Sequence, residues 1–218
     1  MIQAVLFDLD GVLVSTDELH FKAWERLAHD LSITTFTRAD NARQRGVSRM
    51  ESLEIVLEKS GHSYSMEEKL ALAEKKNSYY VEMLQTVNET YILPKAKETI
   101  LYLKEMGIRV AVGSVSKNAL FILAQTGLFP LCDAIASGKD TTRSKPDPEV
   151  FLVAAQKLNI RPAHCLVVED ADAGIEAGHA GGMLTLAVGP AQLHPLADFR
   201  AHSLADKSLD WELILRGK

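Results

Sequence analysis

A handful of short apolar runs, each halted by small or acidic residues, constrains this chain more than any other feature. Ala4-Val5-Leu6-Phe7 stops at Asp8, and Ile108-Arg109-Val110-Ala111-Val112 stops at Gly113-Ser114. Cys165-Leu166-Val167-Val168 stops at Glu169-Asp170, and Met183 to Val188 stops at Gly189-Pro190. A weaker run, Ala134-Ile135-Ala136, stops at Ser137-Gly138. The runs mostly do not alternate with polar residues, as expected of strands covered on both faces of a parallel sheet. Helical patterns lie between them. Ala96 to Met106 ends at Gly107, a natural helix stop, and Ala119 to Gln125 ends near Gly127. Asp147 can cap a helix with Pro148 at its first position, and Val150, Phe151, Ala154, Ala155 and Leu158 then form its apolar stripe. Ala173 to Ala180 makes a short helix whose small-residue face, Gly174 to Gly178, suits packing on a sheet. Strand alternating with helix predicts a doubly wound, Rossmann-like α/β core.

The interval from about Ser15 to Val87 breaks that alternation and reads as helix throughout. Phe21, Trp24, Leu27 and Leu31 recur at helical spacing, and Ser48/Glu51 and Ser65/Glu68 both fit a capping box. We therefore expect a core of residues 1–15 and 88–218 with an inserted all-helical cap domain at 16–87. The tail after Gln192 gives weak signals, with a last helix expected at Leu209 to Leu215.

Composition excludes several classes. With 47% hydrophobic and 24% charged residues the chain is neither disordered nor collagen-like, and its two cysteines cannot staple 218 residues. A net charge of −5 argues against nucleic acid as a partner. The apolar runs are too short for a membrane span, and the N-terminal run lacks the basic start of a signal peptide. The expectation is a cytoplasmic monomer without nucleic-acid or membrane partners.

The chemistry concentrates at the strand ends. In Asp8-Leu9-Asp10-Gly11, two carboxylates emerge on one side of a buried strand, where open α/β sheets place ligands, and Gly11 permits a sharp turn. Glu169-Asp170 ends another such run. Four acids at one sheet edge repel unless a cation joins them, and hard oxygen donors suit Mg²⁺. Ser114, followed by Val115, Ser116, Lys117 and Asn118, offers hydroxyls, an ammonium and an amide to a phosphate, although an ordinary serine cap would look the same. Lys145, between Ser144 and Pro146 with Pro148 beyond, would neutralise phosphoryl charge if held at the site, and is otherwise one exposed lysine among many. Neither a G-x-G-x-x-G nor a P-loop sequence is present, so no nucleotide site is supported.

Asp8-x-Asp10-Gly11-Val12, Ser114, Lys145 in its K-P-x-P setting and Glu169-Asp170 together resemble the four motifs of the haloacid dehalogenase-like phosphotransferase superfamily, over essentially the whole chain. The cap resembles the β-phosphoglucomutase-like family through Thr16, His20, Phe21, Ala23, Trp24, Arg45-Gly46-Val47-Ser48-Arg49, Glu51-Ser52-Leu53 and Lys76-Asn77. The resemblance implies that Asp8 is the phosphorylated nucleophile and Asp10 the general acid and base. It implies Mg²⁺ held by Asp8, the Asp10 main-chain carbonyl, Asp170 and nearby Glu169. Ser114 and Lys145 would bind the transferring phosphoryl group, and Arg49 with Ser116, Lys117 and Asn118 the other phosphate of a sugar phosphate. Thr16, His20, Trp24, Gly46, Val47, Ser52, Lys76 and Val115 complete the implied substrate surround. From spacing alone, Phe21, Trp24 and Leu27 read as cap core rather than as a sugar platform. Ser15, Arg45 and Ala171 depart from the family pattern, where Asp, Lys and Ser are common. The implied activity is a Mg²⁺-dependent hexose phosphate mutase, with a sugar-phosphate phosphatase as the alternative.

Overall fold

A computed structural model describes residues 1–217. Six parallel strands form one sheet in the order β3-β2-β1-β4-β5-β6. They are β1 (Ala4–Phe7), β2 (Arg109–Gly113), β3 (Ala134–Ala136), β4 (Cys165–Glu169), β5 (Leu184–Ala187) and β6 (Phe199–Arg200). The first five coincide with the apolar runs to within a residue at each end. Strand order reverses at β1, which pairs with β2 on one side and β4 on the other. Asp8 and Glu169-Asp170 therefore stand side by side at the switch point, where such sheets open a crevice.

Period-2 alternation explains how both faces are covered. Val5 and Phe7 join one apolar layer with Val112, Val168, Ile100 and Leu103. Ala4 and Leu6 join the opposite layer with Val167, Phe151, Ala154 and Leu158. The first layer rests on α5 (Ala96–Glu105) and α6 (Ala119–Gln125), and the second on α7 (Glu149–Leu158) and α8 (Asp172–Ala180). Helix α7 starts one residue later than the pattern predicts. Pro148 is the cap itself, and the Asp147 carboxylate still accepts the Glu149 N–H at 3.0 Å. The small face of α8 lies on the sheet as expected: a Cβ on Gly178 would sit 2.8 Å from Thr185 Cγ2 and 3.1 Å from Val167 Cβ.

Between β1 and α5 come α1 (Asp17–Asp30), α2 (Arg38–Arg43), α3 (Arg49–Leu57) and α4 (Met66–Leu84), a helical insert with its own apolar centre around Trp24, Leu27, Leu53 and Val56. The Ser48/Glu51 and Ser65/Glu68 capping boxes both form. The last helix, α9, spans Trp211–Arg216, two residues later than expected at its start. Among the described residues, no helix is long and apolar enough to cross a membrane, and both cysteines are free.

Candidate active site

The end of β1 delivers Asp8 against an ammonium that the sequence pattern alone would leave on the surface. Lys145 is 1% exposed, with Nζ 2.5 Å from both Asp8 Oδ1 and Glu169 Oε1. Burial alone would lower the Lys145 pKa, but the two carboxylates win and hold it above the usual lysine value. Glu169 spends its other oxygen on the N–H groups of Asp170 (2.9 Å) and Ala171 (3.0 Å), where α8 begins. That carboxylate positions Lys145 and the turn carrying Asp170 at once. Gly174 makes room for it, since a Cβ there would lie 1.9 Å from Glu169 Oε1.

Asp8, Glu169 and Asp170 each bring a carboxylate oxygen within 4.8 Å of the others, and all three are buried. Burial raises Asp8 well above the ordinary carboxylate value despite Lys145, with Glu169 and Asp170 adding to the rise. Burial, then Glu169, pushes Asp170 up to about 7 against the pull of Arg45 and Lys145. Three clustered acids share one ammonium, so a second cation would relieve the remaining repulsion. The hard-oxygen donor set fits Mg²⁺. The backbone is shaped around it: Gly11 has φ +87°, and a Cβ there would sit 2.1 Å from Asp170 Oδ2.

Asp10 points away from this cluster. Its Oδ1 accepts a hydrogen bond from Thr16 Oγ1, and Thr16 in turn meets the Tyr80 hydroxyl at 3.0 Å. Burial pushes Asp10 up to about 6, opposed by the Thr16 bond. Past β2, Ser114 Oγ accepts the Ser116 N–H and Ser116 Oγ accepts the Asn118 N–H, both at 3.2 Å. These turns lead into α6, with Val115, Ser116 and Asn118 partly buried and Lys117 exposed.

The helical insert closes the other side. A cleft of about 1470 Å³ is bounded by Asp8, Asp10, Ser114 and Asp170 below and by Arg49 and Lys76 above. Gly46, at φ +72°, brings its turn to the core, where a Cβ would lie 3.1 Å from Ala171 Cβ. Arg49 donates to Glu74 at 3.0 Å and to Asn77 Oδ1 at 2.9 Å. The Asn118 amide reaches the same Asn77 oxygen from the core at 3.1 Å. Lys76 is buried with Nζ 2.9 Å from His20 Nδ1, and lies over the rings of Trp24 and Tyr80. Desolvation, reinforced by Arg49, lowers Lys76 well below the usual value, and desolvation with Lys76 and Arg49 does the same to His20. His20 stacks on Tyr80 with centroids 3.9 Å apart and has no bond to Asp10. Trp24, 2% exposed, belongs to the apolar centre of the insert while one edge borders the cleft. Ser52 is buried, its carbonyl accepting from Gln44 at 2.9 Å, and it also borders the cleft with Gly46 and Val47. Tyr80 was not signalled as a site residue. The one available hint is its spacing four residues after Lys76, which puts both on one helix face.

The model of the haloacid dehalogenase-like hydrolase family matches residues 2–182. The chain is 36% identical over 211 residues to a β-phosphoglucomutase of Bacillus subtilis, covering 96% of this chain and 93% of that one. It is 30% identical over 185 residues to a phosphorylated carbohydrates phosphatase of Thermotoga maritima, covering 84% and 82%. A crystal structure of β-phosphoglucomutase from Clostridium difficile superposes with a TM-score of 0.90 at 37% identity, covering 99% of this chain and 96% of that one. With its sheet, its insert and its acidic switch point in place, the chain belongs to the haloacid dehalogenase-like hydrolase family.

Proposed function

We propose that this protein is a hexose phosphate mutase that interconverts β-glucose 1-phosphate and glucose 6-phosphate. The observation that carries this reading is one cleft bordered by Asp8 at one end, with the buried Lys145 ammonium 2.5 Å behind it, and by Arg49 of the insert at the other. A bisphosphate bound in either orientation needs a cation at each end. Likeness to β-phosphoglucomutases over nearly the full length supports the same reading.

Asp8 is the nucleophile, with the Lys145 ammonium 2.5 Å from its Oδ1 opposing the effect of burial and favouring the carboxylate. In its phosphorylated form, Asp8 gives its phosphoryl group to the free sugar hydroxyl while Asp10 takes the hydroxyl proton. The O–P bond to Asp8 breaks as the O–P bond to the sugar forms, leaving a sugar bisphosphate. That bisphosphate reorients, Asp8 attacks the other phosphoryl group, and Asp10 returns the proton to the departing sugar oxygen. Lys145 and Ser114 hold the group in transfer, while Arg49, with Ser116, Lys117 and Asn118, holds the distal phosphate. The Asp8, Glu169 and Asp170 carboxylates and the Asp10 carbonyl would hold Mg²⁺, which when bound neutralises phosphoryl charge. Closure of the helices over the cleft excludes water, which would otherwise hydrolyse the aspartyl phosphate.

Likeness to a phosphatase of phosphorylated carbohydrates favours a second reading, in which water discharges phospho-Asp8. Incubation with β-glucose 1-phosphate, Mg²⁺ and a trace of sugar bisphosphate separates the two. Glucose 6-phosphate with little free phosphate supports the mutase. Nearly stoichiometric phosphate with no isomerised sugar identifies the phosphatase.

A further inference from the structure

Thr16 is fully buried and carries one hydroxyl proton between two oxygen neighbours, Asp10 Oδ1 and the Tyr80 hydroxyl. Each contact needs one proton. With Asp10 ionised as the base, the Thr16 proton must go to the carboxylate, because two bare oxygens at that separation repel. The contact to Tyr80 then needs the tyrosine proton. Tyr80 has no other hydrogen-bond partner among the described residues. Its ring cannot swing away: it is 1% exposed, stacked on His20 at 3.9 Å, and faced by Lys76 Nζ at 4.8 Å. Burial keeps the phenol neutral, so that it retains the proton it donates.

We infer that Tyr80 is a positioning residue: its hydroxyl donates to Thr16, holds the Thr16 oxygen where it donates to Asp10 Oδ1, and so fixes the Asp10 carboxylate, which borders the cleft, for its work on the sugar hydroxyl. The chain of bonds runs from α4 of the insert, through the residue that caps α1, to the core strand end. It thereby fixes the Asp10 carboxylate only when the insert is packed as it is here. Without the phenol, Thr16 still donates to Asp10 Oδ1 but loses the donor that holds its own oxygen in place, and Asp10 loses a fixed orientation rather than a contact with substrate. The inference rests on the proposed role of Asp10 as proton carrier.

The test is a set of kinetic cycles on the full-length enzyme with Mg²⁺ and β-glucose 1-phosphate, run on phosphate release instead if that is the activity found. Tyr80→Phe, which removes one oxygen, should lower kcat about tenfold, the worth of one hydrogen bond, with KM within about twofold. In a Thr16→Val background Tyr80→Phe should cost nothing further, since the residue it acts through is gone. In a Thr16→Ser background, which keeps the hydroxyl, it should again cost about tenfold. A Tyr80 that only packs would leave kcat intact in Tyr80→Phe, or add its full loss on top of Thr16→Val, and either result overturns the inference. Asp10→Asn in the same assay separates the two claims. If it is inactive while Tyr80→Phe is unimpaired, only the inference about Tyr80 fails. If Asp10→Asn turns over like wild type, the proton-carrier role fails and takes the inference with it.

Discussion

Ser144 Oγ donates to Glu51 Oε2 at 2.9 Å, tying the core loop one residue before Lys145 to the first turn of α3. The same carboxylate oxygen accepts the Ser48 N–H at 2.7 Å. Glu51 thus joins the turn that presents Gly46, Val47 and Arg49 to the loop that presents Lys145. Ser144→Ala should leave the melting temperature almost unchanged, because the bond is exposed. It should raise KM for a sugar phosphate about threefold to tenfold, the worth of about one hydrogen bond in the closed arrangement. Steady-state kinetics checks this, and an unchanged KM would show that the bond does not hold the two loops together.

Among the described residues, Lys145 is the sole ammonium between two buried carboxylates, Asp8 and Glu169. Lys145→Met should cost about 3–5 kcal/mol, as expected when a buried ion pair loses one partner and leaves uncompensated charge. Mg²⁺ supplies positive charge to the same carboxylates. The variant's melting temperature should therefore rise more on adding Mg²⁺ than wild type's does. A thermal melt with and without chelator reads both effects. Equal melting temperatures for variant and wild type in chelator would contradict the pairing.

The acidic cluster makes metal binding pH-dependent in a defined direction. Asp170 is pushed up to about 7 and Asp10 to about 6, above the ~4 of an unfolded carboxyl. Between those values the folded, metal-free chain retains protons that the unfolded chain has released. Its stability therefore falls as pH rises through the window, and the contribution is gone above about 7. Bound Mg²⁺ takes the place of those protons, so its affinity climbs over the same window. The rise in melting temperature on adding Mg²⁺ should grow from about pH 5 to about pH 8, and Asp170→Asn should flatten it. A Mg²⁺-induced shift that shrinks with rising pH would show that the metal binds elsewhere.

Gly11 tests the shape of the cluster. Its positive φ makes alanine strained by about 1 kcal/mol, and the added Cβ would overlap the Asp170 carboxylate. Gly11→Ala should therefore lose Mg²⁺ affinity and turnover together while the sheet remains folded by circular dichroism. Wild-type Mg²⁺ affinity in this variant would mean that Asp170 is not a ligand.

Legibility in the sequence followed physical redundancy. Strands β1, β2, β4 and β5 were readable because each must be apolar on both faces, and Asp8, Asp10, Glu169 and Asp170 because they sit where those runs stop. Strand β6 was not readable: two edge residues, Phe199 and Arg200, carry no period. Helix α2, RADNAR, has no apolar stripe, although the Thr37–Asp40 capping box that starts it is a signal that could have placed it. Lys145 illustrates a different limit. Nothing local distinguishes a lysine buried between Asp8 and Glu169 from an exposed one, because its partners are 137 and 24 residues away. Tyr80 is harder still. Its spacing marks a buried helix face, but only the packing of α4 on α1 brings its hydroxyl to Thr16.

Arg49 decides between mutase and phosphatase. The guanidinium is held by Glu74 at 3.0 Å and Asn77 at 2.9 Å, and Asn77 is bonded to Asn118 of the core at 3.1 Å. Its side chain is 23% exposed, and burial lowers its pKa against the pull of Glu74. A phosphate replacing Glu74 would meet a cation already oriented by Asn77 and short of water. The loss of a charge-assisted bond to that phosphate costs about 1.5–3 kcal/mol, or about one to two decades in rate. Arg49→Ala should therefore depress isomerisation of β-glucose 1-phosphate by about ten- to a hundredfold. Hydrolysis of the bisphosphate should fall much less, because water needs no second orientation of the sugar. Arg49→Lys should fall between wild type and Arg49→Ala, keeping the charge but not the planar fork. Product analysis by coupled assay and free-phosphate assay reads both arms. Isomerisation by Arg49→Ala at the wild-type rate would show that the distal phosphate is held by other residues, and equal losses in both arms would favour a phosphatase that uses Arg49 only to bind its substrate.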